Sequence, residues 1–225
     1  MTDPLLFVGL LLGAYLLGSV PIGYLVAKWR RGVDIRQYGS GNVGASNTWR
    51  NVGKATGIGV ALVNILQSML PTLLALSLGY SRPAAGLVGF AAAVGYAWPI
   101  FLRFSGGRAV ATAGGVMLTL WLVPSLFLAA FFILGMLVKR NPLSMFVGFG
   151  CLPIYLWLTE APLEEVGLAG LLYFFILIRR LVGIGEDLRG SERPASVVLN
   201  RLVHDRRPGQ TEYGRHRIGQ TARER

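Results

Sequence analysis

A loop rich in glycine and small polar side chains interrupts long apolar stretches at residues 39–47 and is followed closely by Arg50. Glycines let backbone N–H groups crowd around an anion, and an arginine adds a planar fork of donors with a permanent positive charge. This composition predicts a phosphate-binding site beside a membrane. The candidate ligands are Ser40, Gly41, Asn42, Asn47 and Arg50. The alternative is a flexible linker between two spans, because Gly, Ser and Asn are common in loops.

A second anion-binding loop is predicted at Ser105-Gly106-Gly107-Arg108, which leads directly into an apolar stretch beginning at Ala109. Backbone donors at a helix N-terminus attract phosphate, and Arg108 adds positive charge there. The candidate phosphate ligands are Gly106, Gly107 and Arg108. A tight turn with Arg108 as a snorkelling anchor explains this loop equally well when it is taken alone. Two anion sites on one face would suit two phosphates.

The side chains used in several common kinds of catalysis are missing from the apolar part of the chain. The sequence shows no Ser/His/Asp set, Cys/His pair or pair of carboxylates there, and His204 and His216 lie among charged residues in the tail. Cys151, the one cysteine, lies in an apolar run, and we interpret it as a small buried hydrophobe. We expect no metal and no cofactor. Ser144, in a short loop that begins at Lys139, is an additional candidate hydrogen-bond donor.

The composition is that of a membrane protein. Of 225 residues, 53% are hydrophobic and only 15% are charged, which is too apolar for an ordinary soluble domain. The formal net charge of +11 could indicate nucleic-acid binding, but the basic residues lie at the ends of apolar runs and in a polar tail. That placement favours contact with the anionic headgroups of a lipid bilayer, so we expect no nucleic-acid partner.

The apolar stretches predict an all-α bundle of about seven membrane-spanning helices, since a tilted helix needs about 20 apolar residues to cross a bilayer. The stretch at residues 109–138 is too long for one crossing, so we divide it at Val123-Pro124 into two short or tilted spans. The other predicted spans are residues 5–27, 57–78, 84–104, 143–158 and 166–178. Because Asp3 stands where a signal peptide has basic residues, we interpret the first stretch as a retained span.

The distribution of Lys and Arg predicts the orientation, because positive loop charges stay in the cytoplasm. With the N-terminus outside and the C-terminus in the cytoplasm, the outer loops keep Arg82 as their only basic residue and also hold Glu160, Glu164 and Glu165. An even number of spans would break this sorting. The residues then assigned to the cytoplasmic side are Lys28, Arg30, Arg31, Arg36, Arg50, Lys54, Arg103, Arg108, Lys139, Arg140 and the basic residues from Arg179 onward.

We divide the chain into a transmembrane domain at residues 1–184 and a basic polar cytoplasmic tail at residues 185–225. Within the tail, Val198, Leu199, Leu202 and Val203 recur at helical spacing, so a short helix on the membrane surface is one interpretation. A disordered tail is the other.

Two motifs make the chain similar to a known family. The first is Gly39-Ser40-Gly41-Asn42 through Asn47 to Arg50, followed by Gly53-Lys54. The second contains Gly95, Pro99, Phe104, Gly106-Gly107-Arg108, Val110-Ala111-Thr112 and Gly115. Over about residues 16–186, the sequence resembles the bacterial membrane-integral glycerol-3-phosphate acyltransferases that use acyl phosphate.

The resemblance implies a reaction, a location and two substrates. A fatty acyl group would pass from acyl phosphate to the sn-1 hydroxyl of glycerol 3-phosphate, giving lysophosphatidic acid and phosphate at the bacterial inner membrane. In that family the Ser and Arg at the places of Ser40 and Arg50 contact substrate, and both motifs lie on the cytoplasmic side of seven spans. An acyl phosphate is already activated, so positioning both partners and neutralising their phosphates supplies much of the acceleration.

The chain departs from the family pattern at several polar positions. Arg108 replaces a Lys, Ala109 a Gly, Tyr96 a His, Asn64 an Asp and Gln67 a Lys, while Phe174 and Leu177 take the His and Asn places of a last motif in which Arg180, Leu181 and Glu186 remain. Arg180 and Glu186 are therefore additional candidate site residues. A catalytically impaired relative that binds a phosphorylated lipid or a membrane partner is the alternative function. A transporter is a weaker one, because no paired repeats are visible.

Overall fold

A computed structural model describes residues 3–137 and 141–182, and every regular element in these ranges is helical. The predicted all-α fold is confirmed for this part of the chain. Its α-helices are α1 Pro4–Ser19, α2 Ile22–Arg31, α3 Ala45–Asn51, α4 Lys54–Ser77, α5 Arg82–Ala97, α6 Val110–Leu120, α7 Leu122–Leu137, α8 Asn141–Leu158 and α9 Leu163–Leu181. The predicted tail at 185–225, its boundary at 184 and Glu186 lie outside the described residues.

Long apolar helices dominate the described part of the chain. Within it, three stretches are long and apolar enough to cross a bilayer, namely Pro4–Arg31, Lys54–Ser77 and Arg82–Leu102, and they coincide with the first three predicted spans. The helices α6, α7 and α8 are shorter and apolar. The last helix, α9, is apolar between Glu165 and Arg179, which matches the predicted span at 166–178.

The first predicted span contains a break that the sequence analysis did not foresee. α1 ends at Ser19 and α2 begins at Ile22, because Pro21 lacks an N–H and disfavours helical geometry in the residue before it. The buried amide of Gln67, on α4, donates from Nε2 to the carbonyl oxygens of Leu17 at 2.8 Å and Val20 at 2.9 Å. This amide satisfies carbonyls that the break leaves without helical partners.

The predicted division at Val123-Pro124 is wrong by a few residues. The chain breaks at Trp121, between α6 and α7, and Pro124 lies in the first turn of α7, where its missing N–H costs nothing. A polar network fixes the break. Glu165 accepts from Trp121 Nε1 at 2.6 Å and from Arg82 Nε at 2.9 Å, and Arg82 also donates to the carbonyl that ends α6 at Leu120.

Helix α5 packs closely against α1 through glycine. A Cβ on Gly18 would overlap the carbonyl of Ala92, and a Cβ on Gly95 would overlap that of Tyr15. The phenol of Tyr15 also donates to the carbonyl of Trp98 at 3.0 Å. Such close backbone approach is how small residues hold membrane helices together.

Helix α8 buries one face and leaves Cys151 on another. Phe149, Leu152 and Leu156 are buried at helical spacing, whereas Cys151 is exposed. Our expectation of a buried cysteine is therefore wrong, because the residue lies between positions of the packed stripe.

Candidate active site

Asn47 is the centre of the first glycine loop. Its side chain is only 3% exposed. Oδ1 accepts from the backbone N–H of Ser40 at 3.2 Å. Nδ2 donates to the carbonyl oxygens of Ile35 at 3.2 Å, Tyr38 at 3.0 Å and Asn42 at 2.8 Å. Because this amide is directed at the loop's own backbone, Asn47 shapes the loop around itself.

The turns of this loop depend on glycine and on an Asn side chain. Gly39 and Gly41 have φ of 55° and 69°, in the left-handed region that glycine adopts without strain. Asn42 Oδ1 accepts from the N–H of Gly44 at 3.0 Å, a local turn that leads into α3. Ser40, between the two glycines, is half-buried, and Arg50 lies exposed on α3.

Charged side chains anchor the start of the loop. Asp34 Oδ1 accepts from the backbone N–H of Arg36 at 3.0 Å, and Arg36 Nη2 lies 2.7 Å from Asp34 Oδ2. The hydrogen bonds from Arg36 lower the pKa of the Asp34 carboxyl, so it stays ionised at neutral pH. Arg31 Nη2 donates to the carbonyl of Val52 at 3.1 Å, which ties the end of α2 to the end of α3.

The second loop runs from the end of α5 to the start of α6 through several left-handed residues. Arg103, Phe104 and Ala109 have φ of 51°, 62° and 59°. Ala109 is the residue immediately before α6, so the helix begins at Val110 rather than at the predicted Ala109. Glycine adopts this left-handed conformation without strain, whereas the Cβ of Ala109 is strained there.

Both glycines of the second loop lie against the end of α5. The N–H of Gly107 donates to the carbonyl of Tyr96 at 3.1 Å. A Cβ on Gly106 would overlap that carbonyl and the ring of Pro99, and a Cβ on Gly107 would overlap the phenol ring of Tyr96. Arg108 follows directly and is partly buried.

The two loops meet at Tyr96. This side chain is 5% exposed, and Asn64 Nδ2 donates to its phenolic oxygen at 3.2 Å. A Cβ added to Gly44 would lie 3.2 Å from the same oxygen, while Gly107 packs on the ring. The Gly44 end of the first loop and the Gly107 turn of the second therefore contact one phenol, and the loops lie together at one end of the bundle.

Arg179 is a residue at this site that the sequence analysis did not single out. From the last turns of α9 it donates to the carbonyls of Gly107 and Gly106, and its guanidinium lies 4.7 Å from the ring centre of Trp98. The signal in the sequence is the helical spacing of Arg179 and Phe175, which places them one turn apart on one face of α9. Phe175 packs against Trp98 at 5.7 Å between ring centres.

The other candidate residues lie at the ends of α8 and α9 or along α9. Arg180 is 3% exposed and lies 5.2 Å from the ring centre of Phe146. Ser144 is partly buried in the first turn of α8, and Leu177 is partly buried on α9. Phe174 is 58% exposed and points away from the bundle. The face of α9 that meets the loops is therefore set by Phe175 and Arg179.

The assembled site is suited to binding anions and holding two substrates together. It combines two tight glycine turns with arginines at both loops and a buried phenol between them. The Asp34 carboxylate forms an ion pair with Arg36 at the start of the first loop. Such a site favours chemistry on a substrate that is already activated, because positioning and charge neutralisation are what it offers.

Comparisons with known proteins show which family the chain is similar to and agree with its fold. The sequence model of a family described as glycerol-3-phosphate acyltransferase matches residues 8–189. Glycerol-3-phosphate acyltransferase 4 of Dehalococcoides mccartyi (strain CBDB1) is 38% identical over 200 residues, 85% of each chain. The glycerol-3-phosphate acyltransferase of Myxococcus xanthus (strain DK1622) is 37% identical over 86% of this chain and 99% of its own. The crystal structure of PlsY (YgiH), an integral membrane glycerol 3-phosphate acyltransferase in its glycerol 3-phosphate form, superposes with a TM-score of 0.72 and 32% identity over 83% of this chain and 94% of that one.

Proposed function

The chain belongs to the glycerol-3-phosphate acyltransferase family, and on that premise we propose that its acyl donor is acyl phosphate. It is an integral membrane acyltransferase of phospholipid synthesis that acylates glycerol 3-phosphate. In the proposed reaction the sn-1 oxygen attacks the acyl carbonyl carbon and the bond from that carbon to the phosphate oxygen breaks. The hydroxyl proton leaves with the phosphate, and the products are lysophosphatidic acid and inorganic phosphate.

The observation that carries the proposal is the contact of both glycine loops with Tyr96. Two loops at one phenol offer two neighbouring places for anionic groups, and the two substrates bring one phosphate each. An acyl phosphate needs no protein nucleophile because its carbonyl is activated already, so charge neutralisation and alignment supply most of the rate. A substrate phosphate oxygen would accept the hydroxyl proton.

The proposal assigns roles to the loop residues. The substrate phosphates are bound by Ser40, Gly41, Asn42 and Arg50 of the first loop and by Gly106, Gly107 and Arg108 of the second. Asn47 keeps the first loop in shape through side-chain hydrogen bonds with Ile35, Tyr38, Ser40, Asn42 and Asn51. Ser144, Arg180 and Glu186 remain additional candidates. No cofactor or metal enters this reaction.

We also propose seven crossings with the N-terminus outside and both loops in the cytoplasm of a bacterial cell, at its inner membrane. α1 and α2 together form the first crossing, and α4 to α9 form the other six. Contacts between helix ends support this alternation. Arg82 at the start of α5 meets Glu165 at the start of α9, whereas Arg179 at the end of α9 meets Gly107, after the end of α5.

The test is donor specificity in a purified system. The protein in lipid nanodiscs is supplied with radiolabelled glycerol 3-phosphate and either palmitoyl phosphate or palmitoyl-coenzyme A. We expect labelled lysophosphatidic acid and released phosphate in equal amounts with palmitoyl phosphate, and little product with the thioester. Product from the thioester alone would overturn the donor assignment. Binding of palmitoyl phosphate without product from either donor would overturn the reaction and favour an impaired relative that binds a phosphorylated lipid.

A further inference from the structure

The guanidinium of Arg179 is held between a backbone turn and an aromatic ring. Nε lies 3.1 Å and Nη2 lies 2.8 Å from the carbonyl oxygen of Gly107, and Nη2 also lies 3.3 Å from that of Gly106. Its face stacks on Trp98, with 4.7 Å from Cζ to the ring centre. A planar guanidinium can donate several hydrogen bonds in its plane while its face stacks on a ring, an arrangement that the compact ammonium of lysine does not reproduce.

These contacts determine which way the Gly106-Gly107 turn faces. The described peptide bonds are all trans, and in a planar trans peptide the carbonyl of one residue and the N–H of the next point in opposite directions. The carbonyl of Gly106 faces Arg179, and the N–H of Gly107 accordingly reaches the carbonyl of Tyr96 at 3.1 Å on the other side. In the next peptide the carbonyl of Gly107 faces Arg179. The N–H of Arg108 therefore points away from α9.

Arg179 lies among apolar residues near the end of α9. Phe174 is exposed and points away from the bundle, and Leu177 is apolar and partly buried. Phe175 and Arg179 are one turn apart on the face that meets the loops, and both contact Trp98. Arg179 is thus a polar group through which α9 reaches the second loop.

We propose that Arg179 is a positioning residue for acyl transfer, which holds the Gly106-Gly107 turn with the backbone of Arg108 presented to substrate phosphate. The kinetic part of the test depends on the proposed function. Arg179 acts through the turn, and it supplies support that the apolar Phe174 and Leu177 cannot give. Because positioning errors of about 1 Å can cost about a hundredfold in rate, the effect of losing this support is measurable.

The experiment compares Arg179→Leu, Arg179→Gln and Arg179→Lys with the control Arg30→Gln, which removes an exposed arginine that stacks on Trp29. Two readouts are taken in nanodiscs, namely kcat and KM for both substrates, and amide hydrogen exchange of residues 105–109 by mass spectrometry. We expect Arg179→Leu and Arg179→Gln to lower kcat/KM by about tenfold or more and to speed exchange of the turn. Arg179→Lys keeps the charge and should lie between them and the wild type, and Arg30→Gln should change neither readout.

The exchange readout separates this inference from the proposed function, because it does not require turnover. If the wild type is inactive but Arg179→Leu still speeds exchange at residues 105–109, the reaction assignment fails, whereas the role of Arg179 in holding the Gly106-Gly107 turn stands. Unchanged exchange in both Arg179→Leu and Arg179→Gln overturns the role, whatever happens to activity. If Arg179→Leu does not fold, the same criteria apply to Arg179→Gln and Arg179→Lys.

Discussion

The side-chain amide of Asn64 donates to the phenolic oxygen of Tyr96 at 3.2 Å, at the point where the two glycine loops meet. Both side chains are buried, and they come from neighbouring helices, α4 and α5. Because the phenolic oxygen accepts from Asn64, its own proton is directed elsewhere. We expect that proton to be offered to substrate between Gly44 and Gly107, whose backbones flank the phenol.

Tyr96→Phe tests this relationship. The change removes the hydroxyl but keeps the ring that packs on Gly107, and it leaves the buried Nδ2 of Asn64 without its acceptor. We expect the free energy of unfolding to fall by about 1–3 kcal/mol and kcat/KM to fall by about tenfold. Tyr155→Phe on α8, remote from the loops, is the matched control. A Tyr96→Phe protein with wild-type activity and stability would remove Tyr96 from the site.

Gln67 is expected to stabilise the break between α1 and α2. Its Nε2 donates to two carbonyls at the break, while its Oε1 is buried with no hydrogen-bond partner among the described residues. Gln67→Leu should lower the free energy of unfolding by about 1–3 kcal/mol, since two buried carbonyls each lose a hydrogen bond and keep only one backbone donor, the N–H of Val20 or of Ile22. Gln67→Lys keeps donors and removes the unsatisfied oxygen, so it should be more stable than Gln67→Leu.

Unfolding in mixed detergent micelles measures both Gln67 variants against Gln37→Leu, which changes an exposed glutamine just before the first loop. Equal stability of Gln67→Leu and the wild type would contradict a role for these two hydrogen bonds.

Ala109 carries backbone strain that glycine would relieve. Its φ of 59° lies in the left-handed region. A residue with a Cβ is less stable in this conformation than glycine by about 1–2 kcal/mol. Ala109→Gly should therefore raise the free energy of unfolding by about 1 kcal/mol. Ala111→Gly, two residues later inside α6, should lower it by about 1 kcal/mol. Similar destabilisation by both changes would show that Ala109 is unstrained.

Local sequence patterns were enough to predict much of the architecture. Apolar runs predicted the long helices, and Gly-rich loops beside Arg50 and Arg108 marked the two turns that contact Tyr96. These signals are local because a membrane helix is specified by its own composition and a left-handed turn by its own glycine. Such signals can be recognised in the sequence without knowing what each helix packs against.

Long-range contacts account for what the sequence analysis missed. The break at Trp121 is fixed by Glu165 and Arg82, which are distant in sequence, so a nearby proline suggested the wrong position. The role of Asn47 as a phosphate ligand stays a prediction, although its side-chain donors are directed at nearby loop carbonyls. Arg179 was grouped with the cytoplasmic charges, and only the folded bundle brings it to Gly107.

The central claim is that the two loops form one site for two phosphates, and kinetics of arginine variants test it most directly. KM for glycerol 3-phosphate and for palmitoyl phosphate is measured in Arg50→Ala and Arg108→Ala. The control is Arg30→Ala, which removes the same charge from an exposed arginine. Each loop variant should raise KM for at least one substrate by about tenfold or more, because a charge-assisted contact is lost, while Arg30→Ala should not. Wild-type KM values for both substrates in both loop variants would contradict the account.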